Sequence, residues 1–460
     1  MIPVSHPQVN LSFSQCLQEP VIASEAATAL QNICSQCRQH MADHFLGLIQ
    51  ILEQIDKFNL KPEAANGLIK GVVMIISIMN NKAQLAEAVE KVCLIQVTPL
   101  SRILDGVGEA AGEQRKVVKH SVEDPVLYLD RLSAVFRHVQ PCASSRSPAH
   151  PCRQTIESLW PVLSRCLHLY KNDVRITERT CRTIRFAIRC IGVQSSNLLL
   201  PLVTQMVELY QEKSHSCYLY LGSILVDEYA GESGCIPGLL SMLQAFITPT
   251  YTILRGGLVA HPDTVDDFFR LNARFLQRAP VPYLQTEFIK SILECALLSA
   301  TLEHRDANAS VMKFFFDLLH AGRTKEDKED FDTRSKLIKT LHTEYGEKLV
   351  DSLVKAAVTL PSYTYHDLAD VIHESLLHDR VRSPPLPPLP PVFNNNSDTL
   401  QEAVCSWLEI CLRSMQSSGN CRPAAGVTDE QLAVFHRAVT SAETAPDVTH
   451  AIREFVRLWR

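Results

Sequence analysis

Five arginines recur through the stretch RITERTCRTIRFAIR, which spans residues 175–189. Their spacings of four, three, three and four residues place them on one side of an α-helix, within an arc of about 120°. These arginines are Arg175, Arg179, Arg182, Arg185 and Arg189. A guanidinium is a planar fork that pairs with phosphate or carboxylate groups, and no lysine replaces it here. The stripe therefore indicates a binding surface for an extended phosphorylated or acidic segment.

A solvated helix face is the alternative interpretation of the same stripe. The opposite side of this helix is apolar and predicts a packing face; it carries Ile176, Ile184, Ala187, Ile188 and Ile191. Like charges at these spacings repel by a few tenths of a kcal/mol per pair, and Glu178 relieves only part of that repulsion. Acids on neighbouring helices or a bound ligand must offset the rest.

Acidic clusters elsewhere supply the complementary charge. The stretch HPDTVDDFFR carries Asp266 and Asp267, which would suit the arginines of a ligand in which arginine alternates with phosphoserine. The run TKEDKEDFD is typical instead of a solvated loop with acids at a helix N-terminus.

Helical periodicity runs through nearly the whole chain from about residue 22, and no strand alternation interrupts it. Two helices recur in roughly 40 residues, which is the period of HEAT and armadillo repeats. One such pair cannot bury its apolar face alone, so neighbouring pairs must stack. The sequence predicts an all-α fold, an α-solenoid superhelix of about ten HEAT helix pairs with a concave inner wall.

Three polar or proline-rich stretches divide the array. The loop VQPCASSRSPAHPC spans 139–152, and the run RVRSPPLPPLPPVFNNNS spans 380–397, where proline excludes a regular helix and favours a polyproline II spacer. An R-x-x-P-x-x-P frame at Arg382, Pro385 and Pro388 is the alternative, an SH3 ligand. The expected domains are an unassigned segment 1–20, repeats 21–104, a polar linker 105–122, repeats 123–379 including the arginine helix 174–192, a proline-rich insertion 380–397, and repeats 398–460.

Composition bounds the function. With 45 basic and 50 acidic side chains the net charge is −5, which argues against a general nucleic-acid coat. The first residues lack the charge and apolar pattern of a signal peptide, and no apolar run of about 18 residues predicts a membrane span. Most of the 15 cysteines lie in apolar helical runs, so we expect a reducing compartment.

No catalytic, cofactor or metal site is expected. The sequence lacks GxSxG, HExxH and a glycine-rich phosphate loop, which indicates a protein that is not an enzyme. Cys34 and Cys37 have CxxC spacing but are interpreted as core thiols of one helix. One loop brings together four side chains that could hold zinc, but their spacing fits no established finger and a plain loop is favoured; they are His138, Cys142, His150 and Cys152.

Several collinear blocks resemble the transportin-SR receptors of the importin-β superfamily. Beside RITERTCRTIRFAIRC, they include QNICSQCRQHMADHFLGLI, DPVLYLDRLSAVFRHV, HSCYLYLGSILVDEYAGESGC, HPDTVDDFFRLNARFLQRAP and FHRAVTSAETAPDVTHAIREFVRLWR. The resemblance covers about residues 20 to 460, with a gap at the proline run. It extends over only the C-terminal half of a full receptor.

The resemblance implies a shuttling receptor that carries Ser/Arg-rich splicing factors from cytoplasm to nucleus, passes nucleoporins and releases cargo to Ran GTPase. By resemblance, Arg182, Arg185 and Arg189 grip phosphoserine while Arg175 and Arg179 assist. Asp266 and Asp267 match a family block that takes cargo arginines. The main Ran surface lies in the absent half, so the chain is expected to be a fragment, an isoform or an incomplete gene model.

Two rival functions remain open from the sequence. One is a general HEAT scaffold that binds proteins without import activity. The other is an RNA-binding solenoid that uses the arginine stripe, although no direct nucleic-acid partner and no membrane is expected.

Overall fold

The computed structural model describes residues 7–107, 119, 121–140, 149–232, 234–377, 399–417 and 427–459. Within these residues every regular element is a helix, which confirms the all-α class. The proline-rich insertion at 380–397, with its SH3 frame, lies outside the described residues. So do residues 108–118 and 120 of the linker, Cys142 and the rest of 141–148 in the loop.

The first of two compact units, Met1–Ile224, contains the arginine stretch. Its helices are, in chain order, α1 (Pro7–Gln18), α2 (Ala23–Gln36), α3 (Arg38–Ala42), α4 (Phe45–Glu53), α5 (Pro62–Ile76), α6 (Lys82–Gly106), α7 (Pro125–His138), α8 (Arg153–Leu169), α9 (Val174–Ile191) and α10 (Ser196–Lys213), and α11 (Cys217–Tyr229) runs from this unit into the second.

Two rows of helices make up this unit. In the first row α2, α5, α7 and α9 pack side by side in that order; in the second row α4, α6, α8 and α10 do the same. Consecutive helices from the two rows pack as pairs: α4 with α5, α6 with α7, and α8 with α9. This is the stacking of helix pairs that the 40-residue period predicts.

Buried polar contacts hold the two rows together. Arg131 of α7 is almost fully buried, and its Nη1 donates to Asp56 Oδ1 at 2.6 Å and to Gln96 Oε1 of α6 at 3.3 Å. A buried guanidinium is tolerated only with such partners.

Within the first row, Gly71 lets α5 approach α2, because a Cβ built there would lie 3.1 Å from the Cα of Gln31.

The second unit, Leu225–Arg460, repeats the same plan. Its helices are α12 (Ile236–Leu254), α13 (Pro262–Arg278), α14 (Pro280–Leu284), α15 (Ile289–Ser299), α16 (Arg305–Ala321), α17 (Phe331–Thr359), α18 (Tyr365–Leu376), α19 (Leu400–Ser417), α20 (Asp429–Thr440) and α21 (Ala445–Arg457). One row consists of α13, α16, α18 and α21, and α15, α17 and α19 form the other.

Large aromatic side chains fill the core of this unit. Phe269 of α13 lies with its ring centroid 5.5 Å from that of Phe314 of α16, and both rings are fully buried. Gly346 lets α17 pack against α19, since a Cβ there would lie 2.7 Å from Trp407 Cη2. Neighbouring helices within each row therefore meet through close-packed contacts that tolerate little added volume.

Three local features differ from the periodicity. The unassigned segment 1–20 contains α1, and the stretch 23–55 forms α2, α3 and α4 instead of two helices, with breaks at Cys37 and at Asp43–His44. Helices α11 and α12 were not singled out by periodicity. Since α11 is buried on most of its sides, its sequence CYLYLGSILVDEY has no polar stripe to reveal a period.

The stretch Val174–Lys213 contains a segment that is long and apolar enough to cross a membrane, judged by length and composition only. The sequence pattern predicts no such segment. This stretch is not one helix. It contains α9 with its five arginines, the 3₁₀ turn Gly192–Ser195, and α10. Charged side chains of this number are costly in a bilayer, so composition alone is weak support for a span.

A candidate anion-binding groove

Helix α9 has a defined start and end. The Asp173 side chain caps it by accepting a hydrogen bond from the Ile176 N–H at 3.1 Å. Gly192, with φ of 55°, ends it in a conformation that favours glycine. The arginine stripe therefore lies on a single continuous helix.

Two buried threonines seat α9 against its neighbours. Thr183 donates to the Leu129 carbonyl of α7 at 2.9 Å and lies 3.0 Å from the Ser133 hydroxyl. Thr180 lies 3.4 Å from the Cys166 sulfur of α8. These small polar side chains, with the buried isoleucines between them, fix the rotation of α9, so that the arginines lie on the side away from the core.

An open groove of about 550 Å³ runs across α5, α7 and α9 in the first row. We call it the arginine groove. Its lining residues are Pro62, Glu63, Asn66, Gly67, Lys70, Lys119, Asp124, Val126, Leu127, Asp130, Ser133, Ala134, Arg137, His138, Arg175, Arg179, Arg182 and Phe186.

Arg175 is held by a buried carboxylate at one end of the groove. Its Nη1 donates to both oxygens of Asp124, at 2.8 and 3.1 Å. Asp124 is 1% exposed and also caps α7 by accepting from the Val126 N–H at 3.1 Å. Arg175 therefore has a structural partner that any ligand would have to share.

Asp130 lies beside the next two arginines. Arg179 Nη1 is 3.3 Å from Asp130 Oδ1, while Arg182 acts on the same carboxylate through its charge. Burial raises the pKa of Asp130, although the charges of Arg179 and Arg182 oppose that rise. Among the described residues no hydrogen bond or ion pair holds the Arg182 guanidinium, so it is the groove arginine best placed to accept a ligand.

Two aromatic rings orient Arg185. Its guanidinium carbon lies 4.2 Å from the Phe186 ring centroid and 5.4 Å from that of Tyr220, and its Nη1 donates to the Tyr220 hydroxyl at 2.5 Å. Its Nε is buried and has no partner among the described residues.

Two further arginines lie near this position. The Arg137 guanidinium carbon of α7 lies 5.6 Å from the Phe186 ring centroid. Arg189, one turn further along α9, is exposed.

Positive charge exceeds negative charge in the arginine groove. Six cations face three carboxylates, an excess of three positive charges. His138 adds none at neutral pH, because burial and the nearby Lys70 and Arg137 lower its pKa from 6.5. Guanidinium and ammonium groups around an open groove can bind an anionic chain by charge-assisted hydrogen bonds.

The sequence reading missed Lys70, Arg137 and Phe186. Arg137 lies seven residues after Asp130 on α7, so these two side chains share one helix face. That spacing could have indicated a polar face on α7. Only the packing of α7 beside α9 shows that it meets the arginine stripe.

The acidic pair on α13, in the second unit, is partly occupied. Asp266 accepts from Arg270 Nε at 2.7 Å and from the Ser310 hydroxyl. Asp267 is half-buried and also has partners. An arginine from a ligand would therefore compete with Arg270 for Asp266.

The prediction that Cys34 and Cys37 are core thiols is confirmed for Cys34 and wrong for Cys37. Cys34 is buried in α2, and burial raises its pKa to about 12, whereas Cys37 is exposed at the break before α3 and is not a core thiol. From the histidine–cysteine loop, His138 lines the groove, while His150 and Cys152 lie next to Cys190 of α9.

Two family models match the chain. The Transportin-3/Importin-13 third TPR domain matches residues 6–51, and the fourth TPR domain matches residues 150–254, which include α9. The chain is 23% identical to Transportin MOS14 of Arabidopsis thaliana over 357 residues, which are 75% of this chain and 35% of that protein. It is 18% identical to Importin-13 of Gallus gallus over 315 residues, 66% of this chain and 32% of that one.

The chain is thus similar to transportins and importins of the importin-β family. Among solved structures, importin-13 in its cytosolic state matches 99% of this chain with a TM-score of 0.72 and 13% identity, and this chain covers 47% of that one. That similarity confirms the α-solenoid fold of stacked helix pairs.

The similarity to the Transportin-3/Importin-13 proteins differs in two respects from the expectation. It begins at residue 6, not near residue 20. Because both domain models are shared by transportin-3 and importin-13, they do not single out the transportin-SR branch. The chain spans about a third of the length of these curated relatives, 35% and 32%, and 47% of the importin-13 chain.

Proposed function

We propose that this chain is the cargo-binding part of a nuclear import receptor of the transportin-SR branch, and that its arginine groove binds phosphorylated Ser/Arg-rich segments of splicing factors. The observation that carries the proposal is the groove itself, with its excess of three positive charges and its row of three arginines from α9. The similarity to transportins and importins supports a transport receptor, and the groove supports the class of cargo.

The five arginines have different roles in this proposal. Arg182 lines the groove without an ion pair among the described residues and makes the first contact with phosphate. Arg185, held by Phe186 and Tyr220, and the exposed Arg189 extend the contact along α9. Arg175 and Arg179 assist, because their carboxylate partners already use part of their hydrogen-bonding capacity.

Further properties follow from the same proposal. Asp266 and Asp267 take up arginines of the cargo. The receptor binds nucleoporins as it crosses the nuclear pore, and Ran GTPase releases the cargo. The protein shuttles between cytoplasm and nucleus and does not act as an enzyme. A whole receptor is needed for transport, since the chain corresponds to about a third of its curated relatives, 35% and 32%.

The test compares three ligands at physiological salt: a phosphorylated RS peptide, its unphosphorylated twin, and an RNA of equal charge. Fluorescence anisotropy gives the Kd of each. Wild-type protein should prefer the phosphopeptide, and the Arg182→Ala variant should weaken that binding by about 10- to 150-fold, since a charge-assisted hydrogen bond contributes about 1.5–3 kcal/mol.

Arg165→Ala is the matched control. Arg165 lies on α8, outside the groove, with a 47% exposed side chain paired to Asp105. Its loss should leave the Kd unchanged. Charge reversal at Arg182, Arg185 and Arg189 together should abolish the phosphate preference.

Two other outcomes contradict the proposal. Tighter binding of RNA, with a steep fall in affinity as salt rises, favours a nucleic-acid-binding solenoid. Equal and weak binding of all three ligands favours a general protein-interaction scaffold.

A further inference from the structure

One histidine and two cysteines meet at the C-terminal end of α9. They are His150, Cys152 and Cys190, and their ligand atoms all lie within 4.8 Å of one another. Cys190 is on α9, one residue after Arg189, while His150 and Cys152 precede α8. The cluster joins two segments that are about 40 residues apart in sequence, so tertiary packing created it.

Hydrogen bonds hold the short segment 150–152 in place against the end of α9. The His150 backbone N–H donates to Gln194 Oε1 at 2.6 Å, and Gln194 belongs to the turn that follows α9. The Cys152 N–H donates to His150 Nδ1 at 3.2 Å. The Cys152 thiol is fully buried and lies beside that of Cys190, whereas His150 and Cys190 are half-buried. The donor atoms are therefore pre-positioned, with access from one side.

Two thiols and one imidazole make a soft donor set. Thiolate and imidazole select zinc among the common divalent cations, while calcium and magnesium require oxygen ligands. No carboxylate belongs to this described cluster. A neutral imidazole has one lone pair, so either Nδ1 releases the Cys152 N–H or the ring changes tautomer and offers Nε2.

We propose that His150, Cys152 and Cys190 form a zinc site, with a water molecule in the fourth position of a tetrahedron. Zinc would replace the two thiol protons, which pass to solvent, and would link the segment before α8 to the end of α9. It would thereby fix the end of the arginine stripe at Arg189. The site differs from the arginine groove in its chemistry, and it stands whether or not the groove binds phosphopeptide.

The test uses the full chain, reduced and stripped of metal, with Co²⁺ as the spectroscopic probe and Zn²⁺ as its competitor. One equivalent of Co²⁺ should give thiolate-to-cobalt charge-transfer bands in the near ultraviolet, together with the visible bands of tetrahedral cobalt. One equivalent of Zn²⁺ should remove both. Because two thiol protons leave, the apparent affinity should rise about a hundredfold per pH unit below the pKa of the thiols.

Two variants at half-buried positions carry the test, since Cys152→Ser changes a fully buried side chain and could unfold the region. Cys190→Ser should eliminate the charge-transfer bands, and His150→Asn should weaken Co²⁺ binding at least tenfold. Cys295→Ser, at a half-buried thiol in the second unit, is the matched control and should bind as wild type. Circular dichroism of the metal-free variants verifies that each is folded.

Three results would overturn the proposal. They are Co²⁺ binding without charge-transfer bands, binding that Cys190→Ser and His150→Asn leave unchanged, and an affinity that does not depend on pH.

Discussion

Arg175 and Arg182 lie on the same face of α9, yet their replacement should have opposite consequences. Arg175 donates to both oxygens of a carboxylate that is 1% exposed. In Arg175→Ala, Asp124 keeps its bond from the Val126 N–H but loses two charge-assisted bonds and a compensating cation. Arg182 has no ion pair among the described residues, so Arg182→Ala removes little from the folded state.

The expected magnitudes follow from these contacts. Leaving a buried charge without its partner costs about 3–5 kcal/mol, and Arg175, which is 29% exposed, should lie at the lower end, about 3 kcal/mol. For a cooperative unit of 150–250 residues, about 3 kcal/mol lowers the Tm by about 6–12 °C. Arg182→Ala should change the unfolding free energy by less than about 0.5 kcal/mol, as a surface substitution does.

Differential scanning calorimetry on the wild type, Arg175→Ala, Arg175→Lys and Arg182→Ala gives the comparison, and phosphopeptide anisotropy is measured on the same samples. Arg175→Lys keeps the charge but not the fork, so its Tm should lie between wild type and Arg175→Ala. Equal Tm losses for Arg175→Ala and Arg182→Ala would refute the division into structural and ligand-binding arginines. So would a phosphopeptide Kd that responds to Arg175→Ala more than to Arg182→Ala at a temperature where both are folded.

Three further predictions concern acid, packing and thiol positions. Asp130→Asn should tighten phosphopeptide binding a few-fold in anisotropy titrations, because it frees the two arginines beside it. Burial raises the pKa of Asp130 in the folded state above its ordinary value of 3.8, so the folded protein holds this proton more tightly than the unfolded chain does. The unfolding free energy of the wild type should therefore fall, relative to that of Asp130→Asn, as the pH rises above 3.8. Urea unfolding at several pH values measures this difference. Gly346→Ala should destabilise the protein by about 1–3 kcal/mol in urea, because its Cβ meets a packed indole, while Gly238→Ala, with nothing within 4 Å, should not. Iodoacetamide at pH 8 should label Cys37 and spare Cys34, whose buried thiol has a pKa of about 12, as peptide mass mapping would show; equal labelling would contradict it.

Local features of the fold could be predicted because local forces determine them. The 3.6-residue period, the cap at Asp173 and the stop at Gly192 define α9 from sequence alone. Where the period disappears, prediction fails for a physical reason: α11 is buried on most sides and needs no polar stripe. The breaks at Cys37 and Asp43–His44 carry neither proline nor glycine, so the sequence gives no signal for them.

The partners of the arginines could not be predicted, because they come from distant segments. Arg175 meets Asp124 across 51 residues, and Arg185 meets Tyr220 across 35. The spacing within α9 predicts a stripe, but only tertiary packing shows which of its arginines are held by buried carboxylates of other helices. The same limit applies to Cys190, which the sequence presents as one more thiol in an apolar helix and the fold places beside His150 and Cys152.

The carboxylates of Asp124 and Asp130 act as internal counterions, because they already neutralise part of the positive charge of the arginine groove. An anionic ligand must compete with these carboxylates, each of which carries one negative charge, for the arginine side chains. Phosphoserine brings about −1.5 to −2 charges and three acceptor oxygens, so it competes well, whereas a glutamate or aspartate in its place offers no more than the resident acid. Acidic side chains should therefore be poor substitutes for phosphoserine in any segment that binds the arginine groove, and removing phosphate should suffice to release such a segment.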